Sequence, residues 1–266
     1  MAKLLSGSAF ITGAAAGIGY YTADAFAKHG IERLAVTDFN AGALASSVKE
    51  LQAKHPNVEF LPLELDVRDG KQVKAVLAQV VQKFGRLDIA VNNAGIRGPI
   101  ANTDLVPEEE YENLIQTNMN GVWRCQKEVL SIFMKQEHKG LRYGRGVIIN
   151  TASIFGLFGA PRGMPHTAYV TAKHGVVGMT KADAIQYGEH GIRINAICPG
   201  FTKTAMVESV LAQGSETPFA VEIETSPMGR AGEVDEIADC MVFLASPMSS
   251  YMQGAELVVD GGCSLT

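Results

Sequence analysis

Short apolar runs alternate with helix-like segments about seven times along this chain. The apolar runs, which are rich in valine, isoleucine, leucine and alanine, lie at 8–12, 33–38, 58–63, 87–91, 147–151, 193–197 and 256–259. The segments that repeat apolar residues with a helical period lie at 17–30, 41–53, 70–84, 109–135, 168–187 and 234–244. Strands that are apolar on both faces are typical of a parallel sheet covered by helices on each side. We therefore predict an α/β protein with a doubly wound parallel sheet of about seven strands.

The chain favours one domain with a large core. It has 266 residues, of which 47% are hydrophobic and 19% are charged, and no linker-like run divides it. We predict a single domain over 1–266. The one long stretch without a regular pattern is 201–228, and a connection of that length usually serves as a lid or binding loop. We predict that it is the substrate loop.

Charge and cysteine content exclude several classes of function. The net charge is -5 and the lysines and arginines are scattered, so the chain offers no basic surface for nucleic acid. The four cysteines are far apart and form no Cys-x-x-Cys pair, which favours free thiols over disulfides or a metal site. No run approaches the roughly 18 apolar residues of a membrane span, and the first residues do not resemble a signal peptide. We expect a cytoplasmic protein without membrane, nucleic-acid or metal partners.

A glycine-rich turn follows the first apolar run. Residues 12–19 read Thr-Gly-Ala-Ala-Ala-Gly-Ile-Gly. Glycines let the backbone turn tightly and approach a ligand, while the N–H groups at the start of the next helix face the turn. The spacing only approximates the usual Gly-x-Gly-x-x-Gly dinucleotide fingerprint. The turn predicts a pyrophosphate site, although the same glycines could serve helix–strand packing alone.

Asp38 ends the second apolar run, 19 residues after the last glycine of the turn. An acid at this place would accept hydrogen bonds from a ribose diol. It would also repel a 2′-phosphate, and Ala16, Phe39 and Asn40 provide no cation to offset that repulsion. These residues favour NAD over NADP. The alternative is that Asp38 caps the helix that follows it.

A serine, a tyrosine and a lysine suggest proton chemistry in the second half of the chain. Tyr169 and Lys173 are four residues apart, so they lie on one face of the predicted helix over 168–187. A nearby cation lowers the pKa of a phenol from about 10 and makes it more useful as a base. The same spacing also occurs on ordinary amphipathic helices, where the lysine is only solvated.

Taken in order, these features resemble the short-chain dehydrogenase/reductase family over nearly the whole chain. The residues that carry the resemblance are the glycine turn, Asp66-Val67, Asn92 to Gly95, Asn118, Ser153, Tyr169 with Lys173, Pro199-Gly200 and the closing Val259 to Gly262. The resemblance implies a Rossmann-type fold, a nicotinamide cofactor and a homo-oligomer, usually a tetramer and otherwise a dimer.

The resemblance also implies four catalytic residues. Tyr169 would exchange a proton with the substrate oxygen during hydride transfer, and Ser153 would hydrogen-bond the same oxygen. Lys173 would lower the pKa of Tyr169 and hold the nicotinamide ribose. Asn118 would bind a water that links Lys173 to solvent, or it could simply satisfy buried carbonyl groups.

Cofactor contacts follow from the same resemblance. They are Gly13, Gly17, Ile18, Gly19, Asp38, Asp66, Val67, Asn92, Gly95, Tyr169, Lys173, Pro199, Gly200, Thr202 and Thr204. Asp66 and Val67 resemble the pair that contacts adenine, although Asp66 could instead cap the helix near residue 70. Asn92 and Gly95 would border the cofactor and be mainly structural. The segment 199–204 resembles the one that lies over the nicotinamide, or it could be a loop held by local Ser/Thr turns.

The interval between Ser153 and Tyr169 departs from the family. It spans 16 positions (169 − 153 = 16), about three more than is usual, as if residues had been added at 161–166. The residues that could line a substrate pocket here are Phe155, Leu157, Phe158, Met164 and His166. For His166 we favour an ordinary surface histidine over a catalytic one.

The segment between Thr204 and Pro227 combines apolar residues with acids and contains no lysine or arginine. Its apolar and acidic residues are Met206, Val207, Val210, Leu211, Phe219, Val221, Ile223, Glu208, Glu216, Glu222 and Glu224. Such a lid suits a neutral hydrophobic substrate, so we expect NAD-dependent interconversion of a secondary alcohol and a ketone. Alternatively, the glutamates only solvate an exposed helix. A ketoreductase of polyketide or lipid metabolism that tolerates NADPH, and an idle NAD-binding sensor, are the rival functions.

Overall fold

Seven strands form one parallel sheet in the order β3-β2-β1-β4-β5-β6-β7. The structure is a computed structural model that describes residues 3–205, 207, 208, 212, 214 and 216–265, so the predicted lid residues Met206, Val210 and Leu211 lie outside the described residues. The strands are β1 (Ser8–Thr12), β2 (Arg33–Asp38), β3 (Glu59–Glu64), β4 (Ile89–Asn92), β5 (Gly146–Thr151), β6 (Ile192–Pro199) and β7 (Glu256–Val259). The predicted fold class and strand number are confirmed.

Helices cover both faces of this sheet. They are α1 (Gly17–Lys28), α2 (Ala41–Lys54), α3 (Gly70–Phe84), α4 (Glu108–Ile115), α5 (Gly121–Phe133), α6 (Thr167–Tyr187), α7 (Pro218–Thr225) and α8 (Val234–Ala245). On one face, Phe26, Leu51 and Met241 bring α1, α2 and α8 into a common core. On the other face, Leu77 and Phe133 contribute α3 and α5 to a second core. Each fully buried side chain of this size stabilises the fold by about 1.5–3 kcal/mol.

None of the described helices is both long and apolar enough to cross a membrane.

Two segments differ from the sequence prediction. The helix predicted over 109–135 is divided by a π-helical turn, Gln116–Asn120, that joins α4 to α5. The predicted loop 201–228 contains the helix α7. This helix begins at Pro218, whose fixed φ suits the first turn, and the Thr217 side chain accepts a backbone N–H of that turn.

The segments with predicted functions follow the carboxyl ends of the strands. The glycine turn follows β1, residues 92–95 lie at the end of β4, Ser153 follows β5, and 199–204 begin at the last residue of β6. Strand order reverses between β1 and β4. Open parallel sheets bind ligands beyond the carboxyl ends of their strands at such a reversal. The topology therefore brings distant parts of the chain to one edge.

Candidate active site

A cleft of about 530 Å³ lies at this edge of the sheet. Its walls include Ser153 and most of the predicted cofactor residues, namely Gly13, Gly17, Ile18, Asp38, Asp66, Val67, Gly95, Tyr169, Lys173, Pro199, Gly200, Thr202 and Thr204. Gly19, Asn92 and Asn118 are not among the lining residues. The fold thus joins the glycine turn and the Ser-Tyr-Lys group in a single space.

Two glycines of the turn adopt the left-handed backbone conformation, with φ of +65° at Gly13 and +52° at Gly17. A Cβ at Gly13 would lie 2.8 Å from the Cα of Ala94, so no side chain fits there. A Cβ at Gly19 would lie 2.2 Å from the carbonyl oxygen of Gly13, which gives Gly19 a packing role. Ala16 precedes α1 and supplies no side-chain cap. The first N–H groups of α1 therefore suit a pyrophosphate.

Backbone amides orient the Asp38 carboxylate. The N–H of Ala15 donates to Oδ2 at 3.2 Å, and the N–H of Asn40 donates to Oδ1 at 3.0 Å. The helix α2 is capped instead by Asn40, whose side chain accepts the N–H of Ala43 at 3.0 Å. Asp38 is therefore not the helix cap, and its position in the cleft wall suits a ribose diol.

An arginine that the sequence interpretation missed pairs with Asp66. Arg68 lines the cleft, and its Nε lies 2.9 Å and 3.0 Å from the two carboxylate oxygens. A hydrogen bond from Arg68 lowers the pKa of Asp66. Asp69, not Asp66, caps α3. The Asp-x-Arg spacing in the sequence could have suggested this ion pair. It does not show that both side chains turn toward one ligand site.

The asparagine that faces the cleft is Asn93 rather than the predicted Asn92. The buried Asn92 donates from Nδ2 to Oδ1 of Asn150 at 2.8 Å. The neighbouring Asn93 donates from Nδ2 to the carbonyl oxygens of Thr12 at 3.0 Å and Gly13 at 3.1 Å. It lines the cleft and holds the glycine turn. Because successive side chains of a strand point to opposite faces, only one of two adjacent asparagines can reach the turn.

The side chain of Asn118 is bound to backbone groups. It lies buried in the π-helical turn, where Oδ1 accepts the N–H of Ile96 at 2.8 Å and Nδ2 donates to the carbonyl of Ile96 at 2.7 Å. Such a contact with buried backbone groups is the alternative to a bound water that the sequence suggested. The water-binding role of Asn118 stays a prediction.

The Ser-Tyr-Lys group meets at the start of α6. The Ser153 hydroxyl accepts an N–H of the 3₁₀ turn Ile154–Gly156 at 3.2 Å and is hydrogen-bonded to Tyr169. Lys173 is only 4% exposed. Its Nζ donates to the carbonyl of Thr151 at 2.7 Å and lies 5.5 Å from the centroid of the Tyr169 ring. The hydroxyl therefore lies beside the phenol, and the ammonium lies next to the phenol ring.

Burial controls the protonation of this group. Burial raises the pKa of Tyr169 to about 12, and the hydrogen bond with Ser153 offsets only part of this rise. Burial also lowers the pKa of Lys173 to about 8. The predicted lowering of the Tyr169 pKa was therefore wrong, because burial disfavours the charged phenolate. At neutral pH the phenol is therefore protonated.

The added segment 161–166 folds inward. The N–H of Met164 donates to the carbonyl of Pro161 at 3.0 Å, and the Met164 side chain is buried. His166 is 5% exposed, and its Nε2 lies 2.9 Å from the carbonyl oxygen of Arg97. The prediction of a surface histidine was wrong, because the turn directs this ring into the protein.

An apolar cluster lies against Tyr169 on this side. Phe155, Phe158 and Met164 pack there with Phe201 and with Phe219 of α7. The ring centroids of Phe155 and Phe201 are 6.1 Å apart, and those of Phe201 and Phe219 are 5.5 Å apart. Leu157 packs in a different cluster. None of these side chains lines the cleft, so the predicted pocket residues instead form its apolar surroundings.

The segment after β6 closes over the glycine turn. Thr202 donates from Oγ1 to the carbonyl of Gly200 at 3.2 Å, which is the predicted local turn. A Cβ placed on Gly17 would lie 3.4 Å from the Thr204 side chain. Further along, Glu208, Glu216 and Glu224 are exposed. These acids therefore solvate the outer surface and carry no information about the substrate.

Comparisons with known proteins agree with this geometry. Residues 13–264 match the family described as enoyl-(acyl carrier protein) reductase. The chain is 37% identical to levodione reductase of Leifsonia aquatica, over 96% of this chain and 92% of that protein. It is 36% identical to cyclohexanol dehydrogenase of an Acinetobacter strain, over 95% of this chain and 93% of that protein. It is 38% identical to a 3-oxoacyl-[acyl-carrier-protein] reductase of Thermotoga maritima, over 95% of each.

A solved structure extends the likeness to three dimensions. The crystal structure of levodione reductase superimposes with a TM-score of 0.89 at 35% identity and covers 98% of each chain. The fold of this chain is therefore shared with a known reductase. The chain belongs to the short-chain dehydrogenase/reductase family of oxidoreductases.

Proposed function

We propose that this protein is an NAD-dependent oxidoreductase that interconverts a secondary alcohol and a ketone on a neutral, hydrophobic substrate. The observation that carries the proposal is the single cleft lined by the glycine turn, by Asp38 and by Ser153, Tyr169 and Lys173. Such a cleft can hold a dinucleotide against a proton donor.

The residues present fit a nicotinamide dinucleotide. Side chains are excluded at Gly13, and the free start of α1 suits the pyrophosphate, while Asp38 suits the ribose diol. The described cleft-lining cations are Arg68, which is paired with Asp66, and Lys173, which is bonded to Thr151. A 2′-phosphate would therefore meet the Asp38 carboxylate without a free cation, and this supports NAD over NADP.

The proton chemistry follows from Tyr169. A bound nicotinamide would give a hydride to the carbonyl carbon or accept one from the carbinol carbon. In reduction, the Tyr169 hydroxyl donates its proton to the ketone oxygen; in oxidation, the phenolate takes the proton from the alcohol. Ser153 hydrogen-bonds the same oxygen as charge develops on it. The buried ammonium of Lys173 stabilises the phenolate left after reduction.

The surroundings of Tyr169 support an apolar substrate. Phe155, Phe158, Met164, Phe201 and Phe219 pack next to the phenol and offer no charge. One relative, cyclohexanol dehydrogenase, is named for a cyclic secondary alcohol. We propose a secondary alcohol on a hydrophobic ring or medium-length skeleton, enclosed by a lid over 201–228.

A panel of secondary alcohols with NAD, followed at the absorbance band of NADH, tests the function. We expect turnover of cyclic secondary alcohols by the natural protein and none by Tyr169→Phe, which keeps the ring but lacks the proton. Binding of NADH to the variant should be unchanged. A Tyr169→Phe variant with full activity would contradict the mechanism.

A ketoreductase that tolerates NADPH is the second candidate. The similarity to the 3-oxoacyl-[acyl-carrier-protein] reductase supports it. Steady-state ketone reduction with NADH and with NADPH separates the two functions. Binding of NAD without turnover of any alcohol or ketone would instead favour a sensor that has lost catalysis.

We further propose a cytoplasmic homo-oligomer, either a tetramer or a dimer, with a small-molecule substrate and neither nucleic-acid nor membrane partners. Cys125, Cys198 and Cys240 are free thiols, which suits a reducing compartment. The exposed Trp123 and Ile185 on α5 and α6 are candidates for a subunit contact.

A further inference from the structure

His166 stacks on the ring of Tyr169. The two ring centroids are 4.8 Å apart and the planes differ by 9°, so the imidazole covers one face of the phenol. Phe155 contacts the imidazole edge-on, with centroids 6.5 Å apart. His166 immediately precedes α6, which carries Tyr169. The backbone and both aromatic contacts therefore fix the imidazole next to the proton donor.

The hydrogen bond of this imidazole determines its tautomer. Nε2 lies 2.9 Å from the carbonyl oxygen of Arg97, and a carbonyl can only accept, so Nε2 carries the proton. Nδ1 then presents a lone pair. It is buried and has no hydrogen-bond partner among the described residues.

The surroundings hold the imidazole neutral. Protonation would place a cation and a donor without an acceptor in a buried site. The titratable and charged groups around it are the phenol of Tyr169 and the guanidinium of Arg97, whose charge further opposes protonation. Burial is the largest cause of the lowered pKa of His166, and the bond to the Arg97 carbonyl opposes it only in part. A neutral ring can stack on the phenol without changing its charge.

We propose that His166 is a positioning residue for Tyr169, and that its neutral ring sets the plane of the phenol so that the hydroxyl meets Ser153 and the substrate oxygen. The inference rests on the proposed function insofar as Tyr169 is the proton donor. Phe155 links the stack to Phe201, and Phe201 to Phe219 of α7. The stack is thereby continuous with the apolar cluster that packs against Tyr169.

Three substitutions separate the contributions of this side chain. His166→Phe keeps a flat ring and removes both nitrogens, His166→Gln keeps a donor and removes the ring, and His166→Ala removes both. We expect His166→Phe to keep kcat within a few-fold and the other two to lose about tenfold or more, because a misplaced proton donor slows the chemical step. Affinity for NADH should be the same in all three variants.

The pH profile and a control complete this experiment. The fall in kcat at acid pH that His166 protonation causes should be absent in His166→Phe. His174→Phe, an exposed position of the same helix, should match the natural protein. Natural kcat in His166→Ala, or equal losses in His166→Phe and His166→Ala, would overturn the proposal.

A spectroscopic readout is independent of turnover. In protein labelled with ¹⁵N-histidine, the resonances lost in His166→Phe belong to His166. We expect them to show a proton on Nε2, a free lone pair on Nδ1 and a midpoint below the ordinary value of about 6.5. An Nδ1–H tautomer or an ordinary midpoint would overturn the proposal. If these resonances are as expected but no substrate is turned over, the proposed function fails and the stacked geometry stands.

Discussion

Lys173 is an ammonium group held almost wholly out of water. Its pKa of about 8 lies below the 10.5 of an exposed lysine, and this difference corresponds to about 3 kcal/mol of unfavourable burial at neutral pH. We expect Lys173→Met to abolish turnover and to raise the free energy of unfolding at pH 7 by about 2 kcal/mol, since loss of the bond to Thr151 offsets part of the gain. Urea unfolding measures the change.

The stability gained by Lys173→Met should decrease as the pH rises. Between pH 8 and pH 10.5 the unfolded chain binds a proton that folded Lys173 has released, so the natural protein becomes more stable as the pH rises through this window. The advantage of Lys173→Met should therefore be largest below pH 8 and vanish by pH 10.5. Lys49→Met, at an exposed position of α2, controls for the change of side chain. A constant advantage from pH 7 to pH 10.5 would contradict the assignment.

The negative charge of Asp38 should determine the preference for NAD over NADP. Asp38→Asn removes the charge and keeps an oxygen that can accept a backbone N–H. We expect the ratio of kcat/KM with NAD to kcat/KM with NADP to fall by about tenfold, because a 2′-phosphate no longer meets a carboxylate. Asp69→Ala should weaken the cap of α3 and leave this ratio unchanged. Equal ratios in Asp38→Asn and the natural protein would refute the NAD assignment.

At the scale of elements, Asn118 connects the π-helical turn between α4 and α5 to the segment that follows β4. Its side chain satisfies both the N–H and the carbonyl of Ile96. Asn118→Leu would leave these two groups unpaired, so we expect a loss of about 2 kcal/mol in the free energy of unfolding, measured in urea. NADH binding should weaken as well, because Gly95 beside Ile96 lines the cleft.

Asn120→Ala, on the same turn, is the matched control and should have a smaller effect on both measurements. If Asn118→Leu is as stable as this control and binds NADH normally, the side chain has no structural role. The water-relay role predicted from the sequence would then be the better account of this residue.

Regular elements could be predicted from the sequence because burial on two faces makes strands continuously apolar and helices amphipathic. The π-helical turn could not, since one extra residue per turn barely disturbs the apolar period around Leu114 and Val122. In the site, residue identity located Ser153, Tyr169 and Lys173. It could not show that Asn93 rather than Asn92 faces the cleft or that burial dominates the pKa of Tyr169, because both depend on packing between distant segments.

At the scale of the whole molecule, one edge of the sheet gathers the site, and the helices leave other apolar groups in water. Trp123 of α5 is 50% exposed and Ile185 of α6 is 77% exposed. Single exposed apolar residues are ordinary, but these two lie on helices that pack side by side on one face of the sheet. An isologous contact between copies of the chain would remove both from water.

We expect sedimentation equilibrium to give the mass of a tetramer or a dimer at micromolar concentration. Trp123→Glu combined with Ile185→Glu should shift the protein to a smaller species, because like charges would face each other across the contact. Leu141→Glu is the matched control. Leu141 is 96% exposed in the connection before β5, and its replacement should leave the mass unchanged. A monomeric natural protein would exclude the proposed oligomer, and an unchanged mass for the double variant would place the contact on other surfaces.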